Sequence, residues 1–529
     1  MTQTAGRKPL DLACPTQKRT TRVSQPHPDP VHPREVEEDE NTSVLAALRS
    51  PKRLRTEVLA GLVVALALIP EAISFSIIAG VDPRIGLFAS FTMAVSIAFL
   101  GGRPAMISAA TGAIALVIAP VAREHGLDYF IATVILAGVF QVLLGVAGVA
   151  KLMRFIPRSV MVGFVNALAI LIFMAQIPHM VDVPWLVYPL IAGGLVIMVA
   201  LPKLTDAVPA PLVAIVVLTA ITVFAAVNVP TVGDEGELPK SLPSLFIPHV
   251  PLTIETFRII APYALAMALV GLLESLLTAK IVDDVTDTHS NKTREAWGQG
   301  AANVITGFFG GMGGCAMIGQ TMINVKASSA RTRISTFLAG MFLLILVVGL
   351  GGLVGVIPMA ALVAVMIMVA VGTFDWHSIQ RNTLRRMPKS ETAVMVSTVA
   401  VVVFTHNLAY GVIVGVLVAM VLFARRVAHL TVVEDVAELD ENTHVYAVRG
   451  ELFFATSNDL YSQFDYVGAP RNVIIDLTDA HVWDASTVAA LDAIQTKFES
   501  KGKSVEIIGL NESSAHMHNR LSGHLGAGH

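Results

Sequence analysis

Charge is scarce in this chain. Only 15% of its 529 residues are Asp, Glu, Lys or Arg, while 54% are hydrophobic. Soluble proteins carry about 25% charged residues, so a soluble globular protein is excluded and a polytopic membrane protein is implied. A basic excess is missing as well. The 37 Lys and Arg face 40 Asp and Glu, for a formal net charge of -3, which leaves no electrostatic footprint for nucleic acid. Cysteine is almost absent: Cys14 in a polar stretch and Cys315 in a glycine-rich one exclude a disulfide framework and make neither a redox nor a metal candidate. Residues 1–50 lack the short apolar core of a signal peptide and are rich in Pro, Thr, Glu, Asp and Arg. They are expected to form a disordered cytosolic tail, so that the first membrane helix directs insertion.

What the chain does have is long apolar runs. A spanning helix needs about 20 mostly apolar residues. On that ruler fourteen segments are predicted, two of them short: 57–79, 82–101, 105–122, 129–150, 159–180, 185–202, 209–228, 257–280, 294–311, 315–329, 334–357, 359–373, 391–408 and 410–428. Basic residues in the connectors, from Lys52, Arg53 and Arg55 through Lys151, Arg154 and Arg158 to Arg425 and Arg426, fall on one side, which the positive-inside rule makes cytoplasmic. Both termini are then expected inside. The polar loop Asn228–Pro251, with Asp234, Glu235 and Glu237, is expected outside.

Segments three and ten each begin after glycines and a break: Gly101, Gly102 and Pro104, then Gly310, Gly311, Gly313 and Gly314. They read as half-helices at corresponding places of two inverted repeats, the plan by which transporters present helix N-termini to an anion near the midplane. The repeats are expected over about 53–228 and 253–430, within a membrane domain of 51–430. After Leu430 the pattern becomes soluble α/β, giving a cytosolic domain over 431–521 and a flexible tail over 522–529. The histidines His516, His518, His524 and His529 lie among Gly and Ser and read as a frayed end; no metal or cofactor is expected.

Two carboxylates sit in otherwise apolar spans, where an ionisable group is costly and marks a functional site. Glu71 follows Pro70 in LALIPEAISFSIIAG. The proline is expected to break the helix and free carbonyls beside a carboxyl that can take up a proton and couple it to anion movement. The structural alternative is a glutamate that snorkels or pairs. Glu274 and Thr278 lie four residues apart, hence on one helical face. Their oxygens suit Na⁺ or a proton equally, or an interhelical hydrogen bond. At the half-helix starts, the amides of Ala316, Met317 and Ile318 are expected to face those of Ala109, Ala110 and Thr111 and cradle an oxyanion. Gln320, Ser108, Thr111 and Thr321 would add side-chain donors, while the alternative for the small residues is helix packing. In the soluble domain, Asp484 or Ser486 reads as a helix N-cap, and Ser486 is a possible regulatory phosphorylation site.

These stretches together resemble the sulfate permease (SulP) family, bacterial relatives of the solute carrier 26 anion transporters. The resemblance runs from about Arg53 to Leu521. It rests on AGLVVALALIPEAISFSIIAG, GLLESLLTAKIVDD, GGMGGCAMIGQTMINVKASSARTRIS and a STAS-like terminal region. It implies a fourteen-segment inverted repeat split into a core (segments one to four and eight to eleven) and a gate (five to seven and twelve to fourteen). It further implies an anion site between the starts of segments three and ten, a homodimer and an elevator motion. By position, Glu274 and Thr278 fall where sodium-coupled bicarbonate members keep a cation site. Glu71 stands where many eukaryotic exchangers have glutamine, which favours proton symport over chloride exchange. Gln320 replaces a basic residue of animal members, so the resemblance implies no halide site built on that charge. Asp484-Ala485-Ser486 resembles the phosphorylatable turn of anti-sigma antagonists. The expectation is a bacterial inner-membrane transporter, not an enzyme, for sulfate, bicarbonate or a dicarboxylate. Its lipid-embedded path would be driven by protons, with sodium-coupled bicarbonate symport or an uncoupled channel or exchanger as alternatives.

Overall fold

The computed structural model describes residues 42–151, 156–204, 209–236, 238, 241–428, 432–440 and 442–523. Most of the expected tail, with Cys14, and His524 and His529 at the other end lie outside the described residues. Just before the membrane region, Val44–Arg49 is a short helix capped by the Ser43 hydroxyl, so the final residues of the expected disordered stretch are ordered.

A helical element lies on each apolar segment, because a backbone in lipid must satisfy its own hydrogen bonds. In chain order these are α1 (Pro51–Ala79), α2 (Pro83–Leu100), α3 (Gly112–His125), α4 (Leu127–Val146), α5 (Arg158–Met174), α6 (Val187–Leu204) and α7 (Ala210–Phe224). The second half follows with α8 (Ile254–Thr286), α9 (Lys292–Phe308), α10 (Ile318–Met322), α11 (Arg333–Gly355), α12 (Met359–Thr373), α13 (Lys389–Thr405) and α14 (Leu408–Ala428). Among the described residues, seven helices are long and apolar enough to cross a membrane by length and composition. One expectation is corrected. Pro70 does not end α1, which continues to Ala79 and stops at Gly80 with φ 77°. The missing proline N–H frees one carbonyl, while the Ser74 hydroxyl donates to the Pro70 carbonyl at 2.8 Å.

The helices pack in two groups, α1–α4 with α8–α11, and α5–α7 with α12–α14. Small residues let backbones approach within each group. A Cβ at Gly300 of α9 would lie 2.6 Å from the Gly138 carbonyl of α4, and one at Gly61 of α1 would lie 2.9 Å from the Ser335 carbonyl of α11. Glu57 of α1 adds a polar tie, its carboxylate accepting from the Arg331, Thr332 and Ser335 amides at 2.8, 3.1 and 3.1 Å. It thereby satisfies orphan donors at the start of α11.

The two glycine-rich breaks meet through a short strand pair. Strand β1 (Ser108–Ala109) precedes α3 and pairs antiparallel with β2 (Cys315–Ala316), which precedes α10, with Ser108 opposite Ala316 and Ala109 opposite Cys315. A Cβ at Gly314 would fall 1.9 Å from the Ala109 carbonyl, so this approach requires glycine. Helix α10 has five residues and passes into a π turn over Ile323–Ala327.

After α14 the chain forms β3 (Val432–Asp440), β4 (Thr443–Leu452), α15 (Ser457–Ser462), β5 (Asn472–Val482), α16 (Ala485–Ser500), β6 (Ser504–Ile508) and α17 (Glu512–Leu521). The sheet order is β3-β4-β5-β6, antiparallel at its first pair and parallel at the other two. Parallel neighbours need crossover connections, and α15 and α16 supply them. Val448, Ile475, Leu477, Val488, Leu491 and Phe498 form a core separate from that of the membrane helices.

Candidate anion and coupling site

The β1–β2 pair joins the starts of the two segments between which an anion site is expected. Ala109, Ala110 and Ala316 are fully buried, and Thr111 and Met317 nearly so. The expectation of free amides is corrected at three of these positions. The Ala316 N–H donates to Ser275 Oγ at 3.1 Å, Met317 N–H to the Ile107 carbonyl at 2.9 Å, and Ala110 N–H to Ser90 Oγ at 3.2 Å. Strand pairing and neighbouring hydroxyls consume donors that motif spacing leaves open. Among the described residues, the amides of Thr111 and Ile318 donate no hydrogen bond. The two helix ends are also unequal. α3 has 14 residues and carries an N-cap, the Thr111 hydroxyl accepting from Ile114 N–H at 3.4 Å, whereas α10 has five residues before its π turn and no side-chain cap.

Each carboxylate reaches segment ten. Glu71, partly buried on α1, accepts from Gln320 Nε2 at 3.0 Å. The other amide atom of that side chain, Gln320 Oε1, is buried with no hydrogen-bond partner among the described residues. Glu274, 7% exposed on α8, accepts from Cys315 Sγ at 2.9 Å. Cys315 Sγ is in turn 3.1 Å from Thr111 Oγ1. A chain of three side chains therefore joins α8, β2 and the cap of α3. Thr278 sits on the Glu274 face of α8, but its hydroxyl donates to the Glu274 main-chain carbonyl at 2.7 Å rather than to the carboxylate. Thr321 Oγ1 accepts from Ile107 N–H at 3.0 Å, tying segment ten to the residue before β1.

Helix α9, predicted only as a membrane span, holds this pair of strands in place. Glu295, Gln299, Asn303 and Thr306 share one helical face and are all fully buried. Glu295 Oε2 accepts from the Gly102 and Arg103 amides at 2.7 and 3.0 Å, fixing the turn before β1. Gln299 Nε2 donates to Glu295 Oε1 at 2.9 Å and to Ser108 Oγ at 2.5 Å. Asn303 pairs both ways with Gly314, accepting from its N–H at 2.8 Å and donating to its carbonyl at 2.9 Å, and also donates to Gln141 Oε1 at 2.8 Å. Thr306 and Thr92 hydroxyls meet at 2.8 Å. The signal was present in EAWGQGAANVITG, as polar residues at positions i, i+4, i+8 and i+11.

In the soluble domain Asp484 is the N-cap of α16, accepting from Thr487 N–H at 3.0 Å, and its other oxygen accepts from Phe454 N–H at 2.6 Å. Ser486 is exposed in the first turn.

Residues 54–187 and 186–398 match the sulfate permease family, and residues 436–524 match the STAS domain. YbaR of Bacillus subtilis (strain 168), named as a candidate sulfate transporter, is 55% identical over 461 residues, covering 87% of this chain and 95% of YbaR. The bicarbonate transporter BicA of Picosynechococcus sp. is 26% identical over 512 residues, with 87% and 89% covered. The solved transmembrane domain of a cyanobacterial BicA aligns at TM-score 0.60 and 25% identity, covering 70% of this chain and 98% of that domain. The murine solute carrier 26 member A9 in its inward-facing state aligns at TM-score 0.76 and 16% identity, with 88% and 87% covered, and shares the fold. With its buried polar centre between paired half-helices and its STAS domain, the chain belongs to the sulfate permease family, multi-pass membrane anion transporters rather than enzymes.

Proposed function

We propose that this protein is a secondary active symporter of a bacterial inner membrane, moving a small oxyanion inward with a proton. The anion is drawn from sulfate, bicarbonate and dicarboxylates, and the names of the relatives support the first two. The observation that carries the reading is the hydrogen bond from Gln320 to Glu71. An ionised Glu71 holds the Gln320 amide through its N–H. Protonation turns the carboxyl into a donor able to engage the unpaired Gln320 Oε1, so proton uptake on α1 changes what segment ten offers an anion. Fourteen crossings with both termini in the cytoplasm fit the helix order and the basic connectors. An elevator stroke of α1–α4 with α8–α11 against the remaining membrane helices, in a homodimer, is the motion proposed.

The test is uptake of labelled sulfate, bicarbonate and fumarate into liposomes, with and without an inward proton gradient. Wild type is expected to accumulate one of them faster when the outside is acidic. Glu71→Gln is expected to bind the anion but to lose the response to the gradient. A mutant that the gradient still drives would remove Glu71 from the coupling step.

A sodium-coupled reading has its own support in Glu274 and Thr278. The Thr278 oxygen keeps lone pairs after donating its proton, and a carboxylate plus a hydroxyl oxygen is a hard-ligand set. Replacing external Na⁺ at constant pH distinguishes it, since arrest of uptake would transfer coupling to Glu274.

A further inference from the structure

A cavity of about 950 Å³ lies away from the strand pair, between the two helix groups at the end of the molecule where α1 and α3 finish and α8 begins. From the first group it is lined by one face of α3, Leu116, Ala119, Pro120 and Arg123, and one face of α8, Arg258, Pro262, Tyr263 and Ala266. Each stripe has the three- and four-residue spacing of a helix face and carries an arginine at its rim end. The second group contributes His179, His406, Asn407 and Tyr410. Among the described lining residues Glu235 is the only carboxylate, and it is matched by His179 Nδ1 at 3.9 Å. No carboxylate among the described residues pairs with either arginine. Arg123 Nη2 donates to the Ile78 carbonyl at 3.3 Å, which anchors one edge of its guanidinium and leaves other N–H groups available.

By topology this is the outer face, where basic residues have no role in orienting the chain. Two arginines over an apolar floor of Leu116, Ala119 and Ala266 focus positive potential into the cavity. We propose that Arg123 and Arg258 form a separate outer receiving site for an oxyanion, which holds the transported anion between the two helix groups before it reaches the strand pair. The planar forks suit carboxylate-like and tetrahedral oxyanions alike. This inference rests on the transport reading above.

The test compares half-saturation for labelled sulfate, bicarbonate or fumarate in right-side-out and inverted membrane vesicles. For Arg123→Gln with Arg258→Gln, half-saturation from the outer face is expected to rise roughly three- to tenfold per arginine, the effect of losing a partly solvated charge-assisted hydrogen bond. From the cytosolic face it is expected to stay put, which also certifies the fold. Added salt should weaken outer-face uptake of wild type more than that of the double variant. An outer half-saturation unmoved in the double variant, while wild type transports, would overturn the receiving site alone. Wild-type vesicles that carry none of the three anions would overturn the transport reading and this site with it. A shift found only in reconstituted vesicles containing anionic lipid would assign the arginines to lipid headgroups and overturn the proposal.

Discussion

Cys315 illustrates how much a single side chain does in a membrane interior. It donates to Glu274 and touches Thr111 at 2.9 and 3.1 Å, so it connects a carboxylate of α8 to the helix cap of α3. Removing one partner of a buried polar pair leaves the other unsatisfied at a cost of about 1–3 kcal/mol. Cys315→Val, which conserves shape and removes the donor, is therefore expected to lower the melting temperature of the purified protein by several degrees and to reduce uptake. Cys315→Ser keeps a hydroxyl donor and is expected to stay near wild type in both. If the two variants behave alike, the contact is packing and the chain from Glu274 to Thr111 has no polar role.

Elements, rather than single residues, hold the strand pair. β1 and β2 have two residues each, too few to persist alone, and α9 clamps both from one face through Gln299 and Asn303. Asn303→Leu strands the Gly314 N–H and carbonyl and Gln141 Oε1 in a dry interior. A loss of about 2–5 kcal/mol is expected for several unsatisfied groups in one network, read as lost thermal stability and lost transport. Gly314→Ala is a cleaner probe of the strands themselves. Its Cβ would lie 1.9 Å from the Ala109 carbonyl, so the strands must part, and uptake is expected to fall at least tenfold with the helices still folded by circular dichroism. Wild-type uptake by Gly314→Ala would show that close pairing is dispensable.

At the scale of the whole molecule, the membrane helices and the STAS domain have separate apolar cores. Each unit buries its own surface, so each is expected to fold without the other. A chain ending after Ala428 is expected to retain anion uptake, altered in rate rather than abolished, while residues 432–523 alone are expected to unfold cooperatively. Complete loss of uptake on truncation, with the helices intact, would make the STAS domain the working part of the protein and the membrane region its anchor.

The sequence by itself determined the membrane class, the helix positions, the switch to an α/β domain after Leu430 and the presence of two carboxylates, Glu71 and Glu274, and two glycine-rich breaks within apolar spans. All of these follow from local composition: apolar runs of bilayer length, charges that are costly inside them, and glycines that interrupt them. Tertiary structure decided the rest. That Gln320 rather than a lipid headgroup meets Glu71, that Cys315 rather than Thr278 meets the Glu274 carboxyl, and that neighbours occupy the Ala110, Ala316 and Met317 amides are contacts across 20 to 249 residues of chain. A hydrogen bond depends on where two groups arrive in space, and no periodicity along one segment records the groups that another segment brings to it.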